Sequence, residues 1–331
     1  MKRLRAGVIG VGHLGQHHAR HYATLPGVSL VGVYDTDPSR AKLIADRHGV
    51  SSYQRIKDLL NDVEIVSVAA PTSAHYAAAK ACLEAGKHVL VEKPIAVTVA
   101  EARELVDLAK RQRSVLQVGH SERFNPIMQL MRPHIVRPAF IECHRLSPFV
   151  ERGTDVDVVS DLMIHDLDLV LSFNPGPVED VRAAGVAVLS SSIDIANARI
   201  AFAGGCVANL TASRISATKM RRLRVFQKQH YLSIDFQTRQ AAISKRVQGE
   251  GTKPTIEVEQ FKGGDEEPLR MELESFVGSV ASGTRPVVSG EDGAAALELA
   301  HRILAAIGAF VQRQADGDVS VAGGASVRSA T

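Results

Sequence analysis

The sequence predicts an α/β protein: a doubly wound parallel sheet first, then an α+β second domain built on a large, mostly antiparallel sheet. Three observations carry this expectation. Gly10-Val11-Gly12-His13-Leu14-Gly15 directly follows the apolar run Ala6-Gly7-Val8-Ile9. Strand and helix patterns then alternate as far as Gly119. Beyond Gly119 short strands follow one another with few helices between them. Alternation gives a parallel sheet covered on both faces, whereas successive strands pair antiparallel.

The elements follow in order. Residues 4–9 read as a strand and 13–25 as a helix, with the glycines in the turn between. Such a turn brings backbone N–H groups to a pyrophosphate at the positive end of a helix, which is a Rossmann arrangement. A second strand over 29–34 ends in Asp35, roughly 20 residues past Gly15, where a carboxylate meets the ribose hydroxyls of NAD. Asp37 caps the next helix, with Pro38 in its first turn. The nearly unbroken apolar run 64–70 suits a strand buried on both faces. A helix over 74–85 stops at Gly86, and a strand over 88–92 ends at Glu92-Lys93-Pro94. A helix over 98–111 and a strand over 115–118 close this half.

In the second half, 140–146, 178–188, 193–202, 206–212, 222–227, 231–235 and 256–259 read as strands. Gly204-Gly205 marks a hairpin between two of them. A helix over 157–172 interrupts the series, and helices over 268–282 and 293–312 end the fold. The stretch from Ala315, rich in Gly, Ala and Ser, reads as a disordered tail. The expected domains are therefore 1–119, 120–314 and a tail over 315–331.

Composition narrows the function. The chain has 331 residues, 45% of them hydrophobic, and a net charge of +3, too balanced for a nucleic-acid footprint. Cys82, Cys143 and Cys206 are odd in number and scattered, which argues against a disulfide framework or a zinc site, so no metal is expected. Met1-Lys2-Arg3-Leu4-Arg5 is basic, but the apolar run after it is short and broken by Gly10 and Gly12. That fits no signal peptide, and no apolar stretch reads as long enough to span a bilayer. A reduced cytoplasmic enzyme with a small-molecule substrate is expected, without a membrane or nucleic-acid partner.

Three further constellations carry chemistry. Ligands of an open α/β sheet bind outside the carboxyl ends of its strands, where Glu92, Lys93 and Pro94 fall. Lys93 is thus a candidate for proton transfer; the plainer alternative sends it into solvent. Asp161 and His165 stand four residues apart and share a helical face, which Asp168 extends, while Leu162, Leu169 and Val170 supply the packed side. A histidine with a carboxylate one turn away is a candidate general base, although a satisfied buried histidine fits the same pattern. Arg123 and Asn125, within 118–126, and Arg145, within 144–149, lie in stretches unusually polar for sheet edges. Their arginines suit a sugar hydroxyl, a carboxylate or a phosphate. Arg214, Lys219, Arg221, Arg222 and Arg224 suit a diphosphate, or equally a solvated strand and turn.

The glycine loop, Pro71-Thr72-Ser73-Ala74-His75 and Ala85-Gly86-Lys87-His88-Val89-Leu90-Val91-Glu92-Lys93-Pro94 resemble the Gfo/Idh/MocA oxidoreductases, over nearly the whole span from Leu4 to Phe310. The resemblance implies NAD as cofactor, held by Gly10, Gly12, His13, Leu14, Gly15, Asp35, Pro71, Thr72, His75, Glu92 and Lys93. It implies Lys93, His165 and Asp161 as catalytic residues, with Lys93 between nicotinamide and substrate and often followed by a cis proline bond. It implies Arg123, Asn125, Arg145, Asp161 and His165 as substrate contacts. Residues 142–159 with 161–169, and 194–199 with 206–214, resemble a branch that oxidises C3 of the nucleotide sugar UDP-N-acetylglucosamine on the way to lipid A-type glycolipids. The alternatives are a dehydrogenase of a free sugar, inositol or sugar acid, and a non-catalytic NAD-binding regulator. The joint presence of Lys93, Asp161 and His165 speaks against the regulator. A biliverdin-type reductase would need an apolar cleft, which an arginine-rich second half fits poorly. A broad sheet needs cover on its outer face, so a homodimer or homotetramer is expected.

Overall fold

The structure, a computed structural model, describes residues 3–149, 156–248 and 254–323. The chain forms two compact units. One runs up to Arg132 and takes in Gly263–Glu298; the other comprises Pro133–Lys262 and the chain from Leu299 onward.

The first unit contains β1 (Leu4–Ile9), α1 (Gly15–Thr24), β2 (Val28–Tyr34), α2 (Pro38–His48), β3 (Ser51–Tyr53), α3 (Ile56–Asp62), β4 (Ile65–Val68), α4 (Thr72–Glu84), β5 (His88–Glu92), α5 (Val99–Gln112), β6 (Leu116–Gly119) and α6 (Pro126–Met131). Its six strands are all parallel, in the order β3-β2-β1-β4-β5-β6. The order reverses between β1 and β4, the switch point at which open α/β sheets bind ligands. Val66, Val89, Val91, Leu83 and Leu105 pack in one core, and Val8, Ile65, Leu90, Ala19 and Tyr22 in another. A parallel sheet covered by helices on both faces accounts for such continuous apolar strands.

Helix α8 (Pro268–Ser282) adds Leu273 and Phe276 to the second of these cores. The chain therefore returns to the first unit after its long excursion, rather than leaving it for good near Gly119 as the sequence suggested. The physical reason is cover: an apolar sheet face needs helices, whatever their place in the chain.

Local chemistry explains the helix ends. The Asp37 side chain accepts from the backbone N–H of Ser39 and Arg40, and Gly49 closes α2 in a left-handed conformation. Thr98 and Glu101 form a reciprocal capping box on α5. Strand β3 and helix α3 were not expected, because three and seven residues are too short to show a period. Of the apolar run 64–70, only Ile65–Val68 is strand.

The second unit contains β7 (Phe140–Leu146), α7 (Ile164–Ser172), β8 (Val178–Val186), β9 (Ile195–Phe202), β10 (Val207–Ser213), β11 (Met220–Phe226), β12 (His230–Asp235), β13 (Gln240–Gln248) and β14 (Pro254–Lys262). The eight strands run β14-β13-β12-β11-β7-β10-β9-β8, and every pairing is antiparallel except β7 with β10. Gly205, at φ 80°, makes the tight turn between β9 and β10. Strand β13 is the one missed by the sequence reading; its charged positions Lys245 and Arg246 blur the alternation.

The last helix, α9 (Gly290–Gly323), runs past Ala315, where a disordered tail was expected; residues 324–331 lie outside the described residues. Its portion Gly290–Gln312 is long and apolar enough, by length and composition, to cross a membrane, contrary to the expectation that no stretch is. Leu297, Ala300, Ile303 and Ile307 on it are buried, as in a core helix.

Candidate active site

In the first unit the glycine loop is shaped by what lies against it. Gly10 has φ 80°, and a Cβ there would stand within 2.8 Å of the Ala69–Ala70 backbone. A Cβ on Gly15 would overlap the Gly10 carbonyl oxygen. A Cβ on Gly12 would meet nothing within 4 Å: it would project into open space, where a pyrophosphate must approach the backbone. His13 and Leu14 are exposed on the same loop.

Asp35 follows β2 and is buried. One carboxylate oxygen accepts from Val11 N–H at 2.8 Å; the other accepts from Asp37 N–H at 2.9 Å and from Arg40 at 3.2 Å. Asp35 is thus tied directly to the glycine loop. These residues fit NAD: an acidic group ends β2, and an open glycine starts the helix.

Pro71 is exposed and Thr72 half-buried at the start of α4. The side chains of His75 and Glu92, both expected to contact the cofactor, turn inward. His75 is 1% exposed, with Nδ1 2.7 Å from the Pro94 carbonyl and Nε2 2.8 Å from the Ala70 carbonyl. Glu92 Oε1 lies 3.0 Å from His18 Nε2, and Oε2 accepts from Lys93 N–H at 3.3 Å. Burial opposes ionisation of Glu92, but the His18 hydrogen bond and the charges of His18, Lys93 and His75 hold its carboxyl below the usual range. Gly119 provides the room, since a Cβ there would stand 2.7–2.9 Å from the Glu92 carboxylate. Lys93 is half-buried at the end of β5, and its bond to Pro94 is cis.

His18 is a site residue the sequence reading missed. It falls on the stripe of α1 that buries Ala19 and Tyr22, where a histidine demands a partner. Asn125 is also committed locally: its Oδ1 caps α6 at Ile127 N–H, and its Nδ2 donates to Glu122 at 3.2 Å. Arg123 is half-buried, with its guanidinium 4.0 Å from Asp292.

In the second unit, a single π turn over Val159–Met163 leads into α7. Such wide turns are frequent at functional sites. Four residues make slightly more than one α turn, and slightly less than one π turn, so Asp161 and His165 stay near one face. Both are half-buried, whereas Asp168 is buried rather than extending that face. Leu162 is half-buried too, and the packed side is Val159, Met163, Ile164 and Leu167 with Leu169 and Val170.

Arg145 is buried and gives its fork to Asp166, at 2.7 and 3.0 Å. It therefore anchors α7 to β7 through a bidentate pair instead of offering a free guanidinium. Asp194 is wholly buried; it accepts from Val188, Leu189 and Ser190 N–H, from the Ser190 hydroxyl and from Arg214. Burial alone would raise its pKa, yet these bonds hold the carboxyl well below the ordinary range. Arg214 also reaches the Val156 carbonyl, just ahead of the π turn. Arg222 pairs with Asp235 and Arg224 with Glu142, so three of the five cations read as a diphosphate site are held by carboxylates.

Comparison with known proteins agrees with this fold. Residues 4–120 match the Gfo/Idh/MocA oxidoreductase family's NAD-binding Rossmann fold, and residues 135–232 match the C-terminal domain of the same group. The chain is 38% identical to the UDP-N-acetylglucosamine 3-dehydrogenase of Acidithiobacillus ferrooxidans, over 95% of its own length and 100% of that protein. A solved structure under that name, from the same organism, superposes with a TM-score of 0.90 at 37% identity, covering 94% of this chain and 100% of that one. The myo-inositol 2-dehydrogenase of Thermotoga maritima is 26% identical, over 90% of this chain and 94% of that protein.

Proposed function

The chain belongs to the Gfo/Idh/MocA family of NAD-binding oxidoreductases, and from that premise we propose that it oxidises the C3 hydroxyl of UDP-N-acetylglucosamine to the 3-keto sugar nucleotide. One observation carries the substrate: the 38% identity to an enzyme of that name runs along 95% of the chain, second unit included. The inositol dehydrogenase of Thermotoga maritima, matched over a similar length, is less alike at 26%, and others reach 31–35% only over about half of the chain.

NAD, when bound, supplies the acceptor for the hydride that leaves C3. Gly10, Gly12, His13, Leu14 and Gly15 would hold its pyrophosphate and Asp35 its ribose hydroxyls, with Pro71 and Thr72 as further contacts. Lys93 or His165 accepts the hydroxyl proton as the C=O forms. Asp161 orients His165 or a sugar hydroxyl. Arg123 contacts substrate, whereas Arg145 and Asn125 act by positioning, because their polar atoms already hold Asp166 and the start of α6. The keto product then feeds a transamination leading to 3-amino sugars of lipid A-type glycolipids. We place this work in the cytoplasm, where NAD and nucleotide sugars are available, and in a homodimer or homotetramer.

The test is absorbance at 340 nm with NAD and, in turn, UDP-N-acetylglucosamine, free N-acetylglucosamine and myo-inositol. Reduction of NAD with the nucleotide sugar alone, inhibited competitively by UDP, is expected. Turnover of the free sugar or inositol without UDP inhibition would replace the substrate. No reduction with any sugar would favour a regulator.

A further inference from the structure

His75 makes two contacts that its cofactor reading does not use. Its ring joins the Ala70 carbonyl, which follows β4, to the Pro94 carbonyl, which follows Lys93. Both partners are carbonyl oxygens and can only accept, so a ring nitrogen bonds its partner where it carries the proton. The two tethered segments are themselves pinned. The Ala69–Ala70 backbone lies against Gly10 of the glycine loop, and Ala69 N–H donates to the Ile9 carbonyl at 2.8 Å. On the other side, Lys93 N–H donates to Glu92, which His18 holds. The ring is 1% exposed, so no ligand in solvent reaches its nitrogens.

We propose that His75 is a positioning residue for Lys93: its imidazole ties the Lys93–Pro94 turn to the segment beside the glycine loop, and so fixes where the lysine amine starts. This rests on the role given to Lys93 above. The ring touches neither substrate nor cofactor and acts only through the backbone of Pro94. Misplacement of a reacting group by about 1 Å costs on the order of 10²-fold in rate.

The test compares His75→Ala, His75→Asn and His75→Gln with Lys93→Ala. The amide nitrogen of Asn replaces Nδ1 and still reaches the Pro94 carbonyl; that of Gln reaches towards Ala70 instead. His75→Ala is expected to lower kcat by roughly 10²-fold with little change in KM for NAD. His75→Asn recovers most of that loss and His75→Gln does not. In the protein without ligands, hydrogen–deuterium exchange over residues 92–97 is expected to quicken in the Ala and Gln variants and to stay slow in Asn. If His75→Ala does not fold, the Asn and Gln pair carries the comparison. A loss confined to KM for NAD would make His75 a cofactor contact and overturn the proposal, as would equal behaviour of Asn and Gln. Near-natural turnover in Lys93→Ala would instead remove the lysine from the reaction, which is a failure of the functional reading and leaves the exchange data to judge His75.

Discussion

At the scale of single residues, the direction in which a side chain turns decides its role. Lys93, Glu92 and His75 all belong to motifs that point to the cofactor, yet only Lys93 is left half-buried, while Glu92 meets His18 and His75 meets two carbonyls. The motif positions were legible because glycines, an acid after β2 and Lys-Pro after β5 answer to local backbone needs. The inward turns were not, because their partners are distant in sequence: His18 lies 74 residues before Glu92. Arg145 shows the same limit, since Asp166 lies 21 residues away and claims the guanidinium first. In the function proposed above, His165 carries the second unit's share of the chemistry. His165→Ala should lower turnover by ~10²–10⁴-fold while NAD binding, followed by fluorescence titration, changes little. Near-normal turnover would leave His165 with a packing role only.

At the scale of elements, caps and glycine stops were legible, since they are local hydrogen-bond arrangements. Strand β13 and helix α3 were not, as their form is imposed by neighbours rather than by pattern. The loop before β9 shows how an element is held from inside. Asp194 gathers three backbone N–H groups and Arg214, and Arg214 reaches the Val156 carbonyl ahead of Asp161. A carboxylate whose folded pKa is depressed adds stability that is complete above its unfolded value, about 3.9. That contribution is lost as the pH falls towards the folded value. Asp194→Asn should therefore lower Tm most at neutral pH, with the gap to the natural chain narrowing below about pH 4. A gap that stays constant across that range would mean Asp194 contributes no ionised stabilisation.

At the scale of the whole molecule, the two kinds of sheet were legible from alternation against succession. The return of Gly263–Glu298 to the first unit was not, because sequence order does not say which sheet face still lacks a helix. The second unit's sheet presents Phe140, Phe226 and Tyr231 in one cross-strand row, with ring centroids 5.7 and 5.2 Å apart and Tyr231 exposed. Aromatic rows on a sheet suit burial against a second copy. The natural chain should scatter light as a dimer or tetramer, and Phe226→Glu with Tyr231→Glu should shift it to a smaller species. A monomeric natural chain would remove that assembly.

Turnover of UDP-N-acetylglucosamine carrying deuterium at C3 tests the redox assignment at the reacting carbon. With NAD supplied, the reduced cofactor should emerge one mass unit heavier, and its formation should be slower than with the unlabelled sugar. Reduced cofactor of ordinary mass would place the hydride at another carbon, and none at all would mean that this nucleotide sugar is not the substrate.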